Sequence, residues 1–144
     1  MDIQQLIDLV HQGPLTAEQL AYINVQTTGL DATLGIQYTQ LSTDTVCAEL
    51  QITEHLLQPF GLLHGGVYCA IAESVGSLAG TLAAGGPVVG VHNATDFLRP
   101  ARQGVVQVSA QPVHLGSSTQ LWQITCMLDG KLLSRTSLRT MVMV

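Results

Sequence analysis

A run of about 20 residues beginning at Gly65, GGVYCAIAESVGSLAGTLAA, constrains the fold more than any other part of this chain. It contains no proline and one charged residue, Glu73, so it is predicted to be a single long helix that ends at Gly85-Gly86-Pro87. An ordinary surface helix carries a polar stripe along one side, and this segment has almost none. The helix is therefore expected to be wrapped by protein on nearly every side.

Segments on both sides of this helix alternate apolar and polar residues, as strands with one buried face do. Before it, LGIQYTQLS and TVCAELQIT form a predicted hairpin that turns at Asp44. After it come four strand-like segments, PVVGVHNATDFLRP, GVVQVSAQPVHLG, STQLWQITCMLD and KLLSRTSLRTMVMV. The predicted turns between them are Gln103-Gly104, Gly116-Ser117 and Asp129-Gly130, and Asp-Gly is the strongest hairpin signal.

Two strands, one helix and four strands predict an α+β fold, in which a curved antiparallel sheet wraps around one long central helix. Residues 33–144 are predicted to form this domain. Residues 1–32 are predicted to form a helical N-terminal arm. Its first helix places apolar residues at helical spacing, and Thr16 with Gln19 has the form of a capping box that opens a second helix.

The composition limits what the domain can do. A chain of 144 residues makes one domain, and its low content of charged residues, 10%, beside 47% hydrophobic residues suggests an oligomer. The net charge of −5 provides no basic face for nucleic acid or an anionic membrane, so local arginines must hold any anionic ligand. The acidic N-terminus does not resemble a signal peptide, and a cytoplasmic location is expected. The three cysteines are expected to be reduced and to bind no zinc.

The densest functional signal is the segment QPFGLLHGG, residues 58–66, followed by Glu73 inside the helix. Gly65 and Gly66 present backbone N–H groups at the positive end of the helix and let a substrate carbonyl approach closely. A carboxylate in an apolar helix is costly without a partner or a task. Gln58 and His64 bracket the loop with side chains able to orient a carbonyl or that carboxylate. These features indicate an oxyanion-type site.

Each feature also has a purely structural interpretation. His64 is able to cap the helix or bond a backbone carbonyl, and the two glycines are able to serve only a tight turn into the helix. Glu73 is harder to explain structurally, because a helix of this composition would place Ala or Leu at that position.

The segments LLQPFGLLHGGVYCAIAESVGSLAG, VVGVHNATDFLRPARQG and HLGSSTQLWQI resemble the hotdog-fold acyl-CoA thioesterases. The resemblance is closest to the PaaI-related branch that contains 1,4-dihydroxy-2-naphthoyl-CoA hydrolases and the Glu-type 4-hydroxybenzoyl-CoA thioesterases. It covers roughly residues 34–144. It implies a hotdog fold, a homodimer or homotetramer, and hydrolysis of an aromatic acyl-CoA to the free acid and coenzyme A.

The resemblance also implies roles for individual residues. Glu73 is the catalytic carboxylate, acting as nucleophile or as base toward water. The Gly65 N–H polarises the thioester carbonyl, Gln58 and His64 support that geometry, and Ser77 helps to place water. A thiolate leaves without a strong general acid. No separate cofactor is expected, because coenzyme A enters as part of the substrate.

Coenzyme A carries phosphates that this acidic chain must bind locally. Arg99 and Arg102 lie within one short turn and are the candidates, with hydroxyls of the next turn region, Ser117, Ser118 and Thr119. The alternative for the two arginines is a surface salt bridge with Asp96 or a subunit contact. Arg135 and Arg139 are predicted on one face of a strand without an assigned role. The histidines show no ligand spacing, and no metal site is predicted.

Helix geometry predicts that the active site is shared between two chains. Eight residues separate Gly65 from Glu73, which corresponds to about 12 Å along a helix axis. One carbonyl cannot contact both groups of the same helix, so Glu73 must come from a neighbouring subunit. Two other functions remain open: a non-catalytic acyl-CoA or aromatic-ligand binding protein, and a hydratase or dehydratase of the same fold.

Overall fold

The computed structural model describes residues 1–143, so only the last residue of the predicted final strand, Val144, lies outside them. Four helices occur in chain order: α1 (Ile3–Gln12), α2 (Ala17–Val25), α3 (Gly29–Leu34) and α4 (Gly65–Ala84). The strands are β1 (Ile36–Leu41), β2 (Val46–Gln51), β3 (Val88–Phe97), β4 (Val105–Leu115), β5 (Thr119–Leu128) and β6 (Lys131–Val142). One turn of 3-10 helix, Glu54–Leu56, follows β2.

The strands form one antiparallel six-stranded sheet in the order β1-β2-β4-β5-β6-β3. Helix α4 packs against five of the six strands, β2 through β6. The predicted α+β hotdog architecture is therefore confirmed. The turn between β5 and β6 has positive φ at both Asp129 (50°) and Gly130 (75°), the conformation that a two-residue hairpin favours.

Two glycines bring α4 into close contact with the sheet. A Cβ built on Gly76 would lie 2.5 Å from a methyl of Leu138 on β6, and one on Gly80 would lie 2.6 Å from Oε1 of Gln120 on β5. A side chain at either position would force the buried side chain of Leu138 or Gln120 to shift. The small residues of α4 thus set its distance from the sheet.

Gln120 is a polar residue buried at this contact. Its Nε2 donates to the Gly80 carbonyl oxygen (3.2 Å), while its Oε1 accepts from Trp122 Nε1 and Thr140 Oγ1, both at 2.9 Å. Every polar atom of the Gln120 amide is used, which removes the penalty for burying it. The network joins the C-terminal half of α4 to two neighbouring strands.

One face of α4 is not covered within a single chain. Gly66 is exposed, and Ala70, Glu73 and Ser77 are half-buried, so the expectation of a helix wrapped on nearly every side does not hold for the chain alone. Although α4 is long and apolar enough to cross a membrane by length and composition, 56% of its most apolar window is buried in the protein. It is the core helix of the domain.

The edge strand β3 exposes apolar side chains next to this face. Val91 is 50% exposed and Phe97 57% exposed, and Val89 is exposed as well. Because β3 is the last strand of the sheet order, its outer backbone groups pair with no strand among residues 1–143. This edge is the kind of surface on which another strand can add.

The N-terminal helices pack onto the domain. Leu6, Ile7 and Val10 of α1 belong to the same core as α4, and the boundary predicted between residues 32 and 33 falls inside α3. The predicted capping box at Thr16 and Gln19 is present, and an equivalent one at Asp2 and Gln5 opens α1. The arm is therefore continuous with the domain in its packing.

Candidate active site

The loop before α4 contains a tight turn that is closed by its own backbone hydrogen bonds. The Gln58 N–H donates to the Leu62 carbonyl oxygen at 2.8 Å, and the Gly61 N–H donates to the Gln58 carbonyl oxygen at 2.9 Å. Gly61 has φ of 79°, which favours glycine at the end of this turn. The sequence QPFG forms this turn, with the phenyl ring of Phe60 83% exposed at its tip.

A second loop, residues 98–102 between β3 and β4, holds the first one in place. The Leu63 N–H donates to the Ala101 carbonyl oxygen at 2.7 Å, and Arg102 Nη1 donates to the Phe60 carbonyl oxygen at 3.1 Å. Arg102 is exposed otherwise. One of its nitrogen atoms thus supports the loop that precedes α4.

The start of α4 is capped by His64. Its Nδ1 accepts a hydrogen bond from the Gly66 N–H at 2.8 Å, which confirms the structural interpretation of this histidine as a helix cap. The Gly65 N–H, by contrast, has no acceptor among residues 1–143. A free N–H at the positive end of a 20-residue helix is an anion- or oxyanion-binding group.

A cavity of about 310 Å³ opens beside this free N–H, and its lining includes Gln58, Gly65, Tyr68, Phe97 and Arg99. The Gln58 Oε1 accepts from the Phe60 N–H, so the amide nitrogen is the group left to donate. The Phe97 ring lies over Gly65, where an added Cβ would meet it at 3.0 Å. Two residues with free hydrogen-bond donors therefore line one cavity that has an aromatic wall.

Tyr68 forms the deep side of that cavity. It is 4% exposed, its ring lies 6.0 Å from that of Phe97, and its buried hydroxyl has no partner within the described chain. Burial raises the pKa of Tyr68 to about 12, with a smaller effect from Cys126 nearby. The sequence reasoning missed Tyr68 and Phe97, because an aromatic residue in an apolar segment signals only the core.

Glu73 lies elsewhere on α4. Its carboxylate is half-buried and accepts a hydrogen bond from Ser77 Oγ at 3.1 Å, one turn later. It does not line the cavity that contains Gly65 and Gln58. Gly65 and Glu73 both lie on the single helix α4, as predicted, and a site shared between two chains stays a prediction.

The residues predicted to hold coenzyme A fall into two groups. Arg99 and Arg102 lie at the N-terminal end of α4, because residues 98–102 pack against the loop that precedes it. Ser117 and Ser118 lie in the turn between β4 and β5, and Thr119 is the first residue of β5. The next residue, Gln120, bonds Gly80 near the other end of α4. One chain thus separates the two groups by most of the length of its helix.

Arg135 and Arg139 lie on the outer face of β6. Asp96 pairs across the strands with Arg135, whose nitrogen lies 3.6 Å from its carboxylate, and not with Arg99 or Arg102. Arg139 is exposed on the same outer face of β6. Within residues 1–143 no cluster of three or more His, Cys, Asp or Glu side chains is placed to hold a metal ion.

A second cavity, of about 360 Å³, lies between the N-terminal helices and α4. Ser74 Oγ, next to Glu73 in sequence, donates to Asp31 there at 2.5 Å. Burial and the neighbouring Asp31 carboxylate raise the pKa of Tyr38 in its wall. The sequence did not single out this cavity, because residues far apart in the chain line it.

Comparison with known proteins identifies the family. The family model described as the thioesterase superfamily matches residues 60–133. The 1,4-dihydroxy-2-naphthoyl-CoA hydrolase of Escherichia coli is 43% identical over 93 residues, 63% of this chain and 68% of the relative. The proofreading thioesterase EntH of Cronobacter turicensis is 44% identical with the same coverage of both chains.

A solved thioesterase structure from Haemophilus influenzae is 35% identical, covers 90% of this chain and 91% of its own, and superposes with a TM-score of 0.79. The PaaI protein of E. coli, at 22% identity, shares the fold, with a TM-score of 0.79 over 94% of this chain and 96% of its own. The chain therefore belongs to the thioesterase superfamily and is a thioester hydrolase of the hotdog fold.

Proposed function

We propose that the protein hydrolyses the thioester of an aromatic acyl-CoA to the free acid and coenzyme A. The observation that carries this proposal is the free Gly65 N–H at the start of α4, beside the free amide nitrogen of Gln58 in one cavity. Two preorganised donors on one carbonyl oxygen stabilise the negative charge that develops there during acyl transfer. Such donors serve a thioesterase directly.

Glu73 supplies the second part of the reaction. As nucleophile, its carboxylate attacks the thioester carbon, the C–S bond breaks, coenzyme A leaves as thiolate, and water then hydrolyses the acyl-enzyme anhydride. As base, Glu73 takes a proton from water while that water attacks the same carbon; the C–S bond then breaks, and coenzyme A leaves as thiolate and is protonated to the thiol. In both versions the Ser77 hydroxyl keeps the carboxylate oriented, as its 3.1 Å hydrogen bond allows.

The site is completed by a second copy of the chain. The oxyanion donors and Glu73 lie about 12 Å apart along one helix, and a neighbouring antiparallel α4 brings Glu73 to the Gly65 of its partner. The uncovered face of α4 and the exposed apolar edge of β3 are adjacent, which supports pairing on that side. A two-fold dimer then holds two equivalent sites, and a tetramer is a pair of such dimers.

The same arrangement brings the two groups of coenzyme A residues together. In an antiparallel pair, Arg99 and Arg102 at the start of one helix approach the turn at the far end of the other, which contains Ser117, Ser118 and Thr119. We assign the phosphates of coenzyme A to these residues. Arg102 donates a hydrogen bond from Nη1 to the Phe60 carbonyl oxygen, and its other N–H groups are available to a phosphate.

The aromatic nature of the acyl group is supported from two sides. The E. coli relative is named for an aromatic substrate, 1,4-dihydroxy-2-naphthoyl-CoA, and the cavity beside Gly65 has walls of Tyr68 and Phe97. Aromatic rings pack favourably at tilted angles, as these two do at 45°. A flat acyl ring therefore has partners in this cavity.

Thiol release from benzoyl-CoA tests the proposal. Wild-type protein is expected to release coenzyme A, and Glu73→Gln to lower kcat at least about 100-fold while remaining folded. Gln123→Glu, on an exposed position of β5, is the matched control and is expected to keep wild-type activity. Activity of Glu73→Gln near that of wild type would remove Glu73 from the mechanism.

The same assay decides among the three functions. Binding of benzoyl-CoA without thiol release would support a non-catalytic ligand-binding protein. If benzoyl-CoA is neither bound nor cleaved, enoyl and hydroxyacyl esters are assayed next. Addition of water to the first, or its loss from the second, would support a hydratase or dehydratase. A panel of aromatic and aliphatic acyl-CoA esters then tests the preference for aromatic groups.

A further inference from the structure

We infer that Gly90 of β3 is a positioning residue for the carboxylate of Glu73. This inference rests on the proposed role of Glu73 and names a residue that the sequence did not single out. A Cβ built on Gly90 would overlap the Glu73 carboxylate, with Cδ and Oε2 both at 2.8 Å and Oε1 nearer still. The carboxylate occupies the space that any other residue at position 90 would fill.

The backbone does not require glycine at this position. The φ angle of Gly90 is not positive, so an alanine can adopt the same φ without the strain of a left-handed conformation. Glu73 supplies all three nearest atoms to the added Cβ, and two of them are its carboxylate oxygens. Glycine at position 90 is thus explained by the carboxylate.

The strand is irregular at the same point. The pairing of β3 with β6 shifts register between Gly90 and His92, which leaves Val91 as the extra residue of a bulge. Bulges bend a strand and re-aim the groups beside it, and they are frequent next to active sites. The bulge and the missing side chain together let the backbone of β3 lie against the carboxylate.

The backbone of β3 at Gly90 limits the positions that the Glu73 carboxylate can occupy. Ser77 holds Oε1 from the following turn of α4, and Gly90 closes the side toward the sheet. Glu73 itself lies on the incompletely covered face of α4, where the proposed partner subunit brings its thioester. Gly90 thereby keeps the carboxylate oriented toward the reacting carbon.

Gly90→Ala tests the inference. Because the atoms that would clash are the far end of a flexible side chain, we expect the carboxylate to swing aside while the fold remains. kcat for benzoyl-CoA is expected to fall about 100-fold, since a displacement near 1 Å costs about that much, with KM changed less than about threefold. Gly86→Ala is the matched control, because a Cβ there meets nothing within 4 Å, and it is expected to behave as wild type.

Combining Gly90→Ala with substitutions of Glu73 distinguishes a positioning role of Gly90 from a general structural role. In Glu73→Ala, the added Gly90→Ala is expected to change neither the residual activity nor the melting temperature. In Glu73→Asp, whose carboxylate is one methylene shorter, Gly90→Ala is expected to cost much less than in wild type. If Gly90→Ala itself does not fold, rescue of folding by Glu73→Ala supports the inference.

Three results would overturn it: Gly90→Ala within threefold of the wild-type kcat, an equal loss of activity in the Glu73→Ala background, or failure of both Gly90→Ala and the double variant to fold. These results are separate from failure of the proposed function. That failure would be seen as retained activity in the single variant Glu73→Gln.

Discussion

Subunit complementation tests the proposal that two chains build each active site. One chain carries Glu73→Ala, and the other carries Gly65→Pro, which deletes the N–H at the start of α4. Proline is tolerated at the first position of a helix, so the helix itself should form. Gly65→Ala is the matched control, because it introduces the same contact with Phe97 but keeps the N–H.

The expected magnitude follows from the placement of both groups on α4. Each parent homodimer lacks one essential group at both of its sites and is expected to retain at most about 1% of wild-type activity. In a mixed dimer, one site combines the Gly65 N–H of the Glu73→Ala chain with the Glu73 of the Gly65→Pro chain and is intact. The other site lacks both groups. Random exchange of equal amounts makes about half of the dimers mixed, so the mixture should recover about one quarter of wild-type activity.

The assay uses two affinity tags, one on each variant, with co-expression and purification in tandem. Purified mixed dimers should release coenzyme A from benzoyl-CoA at about half the wild-type rate per dimer. Circular dichroism establishes that both variants are folded, and mass measurement establishes the composition. Purified mixed dimers no more active than the parents would show that Gly65 and Glu73 do not meet across an interface.

Three further perturbations check other parts of the structure. Arg102→Ala should raise KM for acyl-CoA several-fold at low salt, with a smaller effect at high salt, because phosphate contacts remote from the thioester are screened by salt. An unchanged KM at low salt would leave Arg102 only a structural role, through its bonds to the Phe60 and Gly61 carbonyl oxygens. Gln120→Leu should lower the free energy of unfolding in urea by about 2 to 4 kcal/mol, because it leaves the Trp122 N–H and the Thr140 hydroxyl unpaired and removes the side-chain bond to the Gly80 carbonyl, while exposed Gln123→Leu should change it little. Burial raises the pKa of the Cys126 thiol to about 11, above its ordinary 9.0, so the stability it contributes is present below pH 9 and is lost as pH rises toward 11. The free energy of unfolding should therefore fall between pH 9 and 11, with a shallower slope in Cys126→Ala.

Local pattern was enough to predict the long helix and the six strands of the fold. The small-residue run predicted α4 with its bounds of Gly65–Ala84, and the alternating segments predicted six strands. The Asp129-Gly130 turn was also predicted, because its residue types carry the positive φ that the turn needs. Each of these signals lies within a few residues of the feature that it specifies.

The features that escaped prediction depend on contacts between distant segments. The position of β3 beyond β6, at the sheet edge, is not encoded in any local period. The contact of Gly90 with Glu73 and that of Arg102 with Phe60 join residues that lie far apart in sequence. For the same reason, the sequence indicated that Glu73 had a task without revealing which backbone surrounds it.

The placement of Gly65 and Glu73 on one helix has a consequence for mixed populations of chains. In the proposed dimer every chain belongs to both sites, donating its oxyanion group to one and its carboxylate to the other. A chain that has lost only one group silences a single site of a mixed dimer, so activity declines in proportion to the share of damaged chains. A chain that has lost both groups silences two sites, and activity then declines as the square of the intact fraction. In an equal mixture of intact and damaged chains, about half of the activity would remain when the damaged chains lack one group, and about one quarter when they lack both.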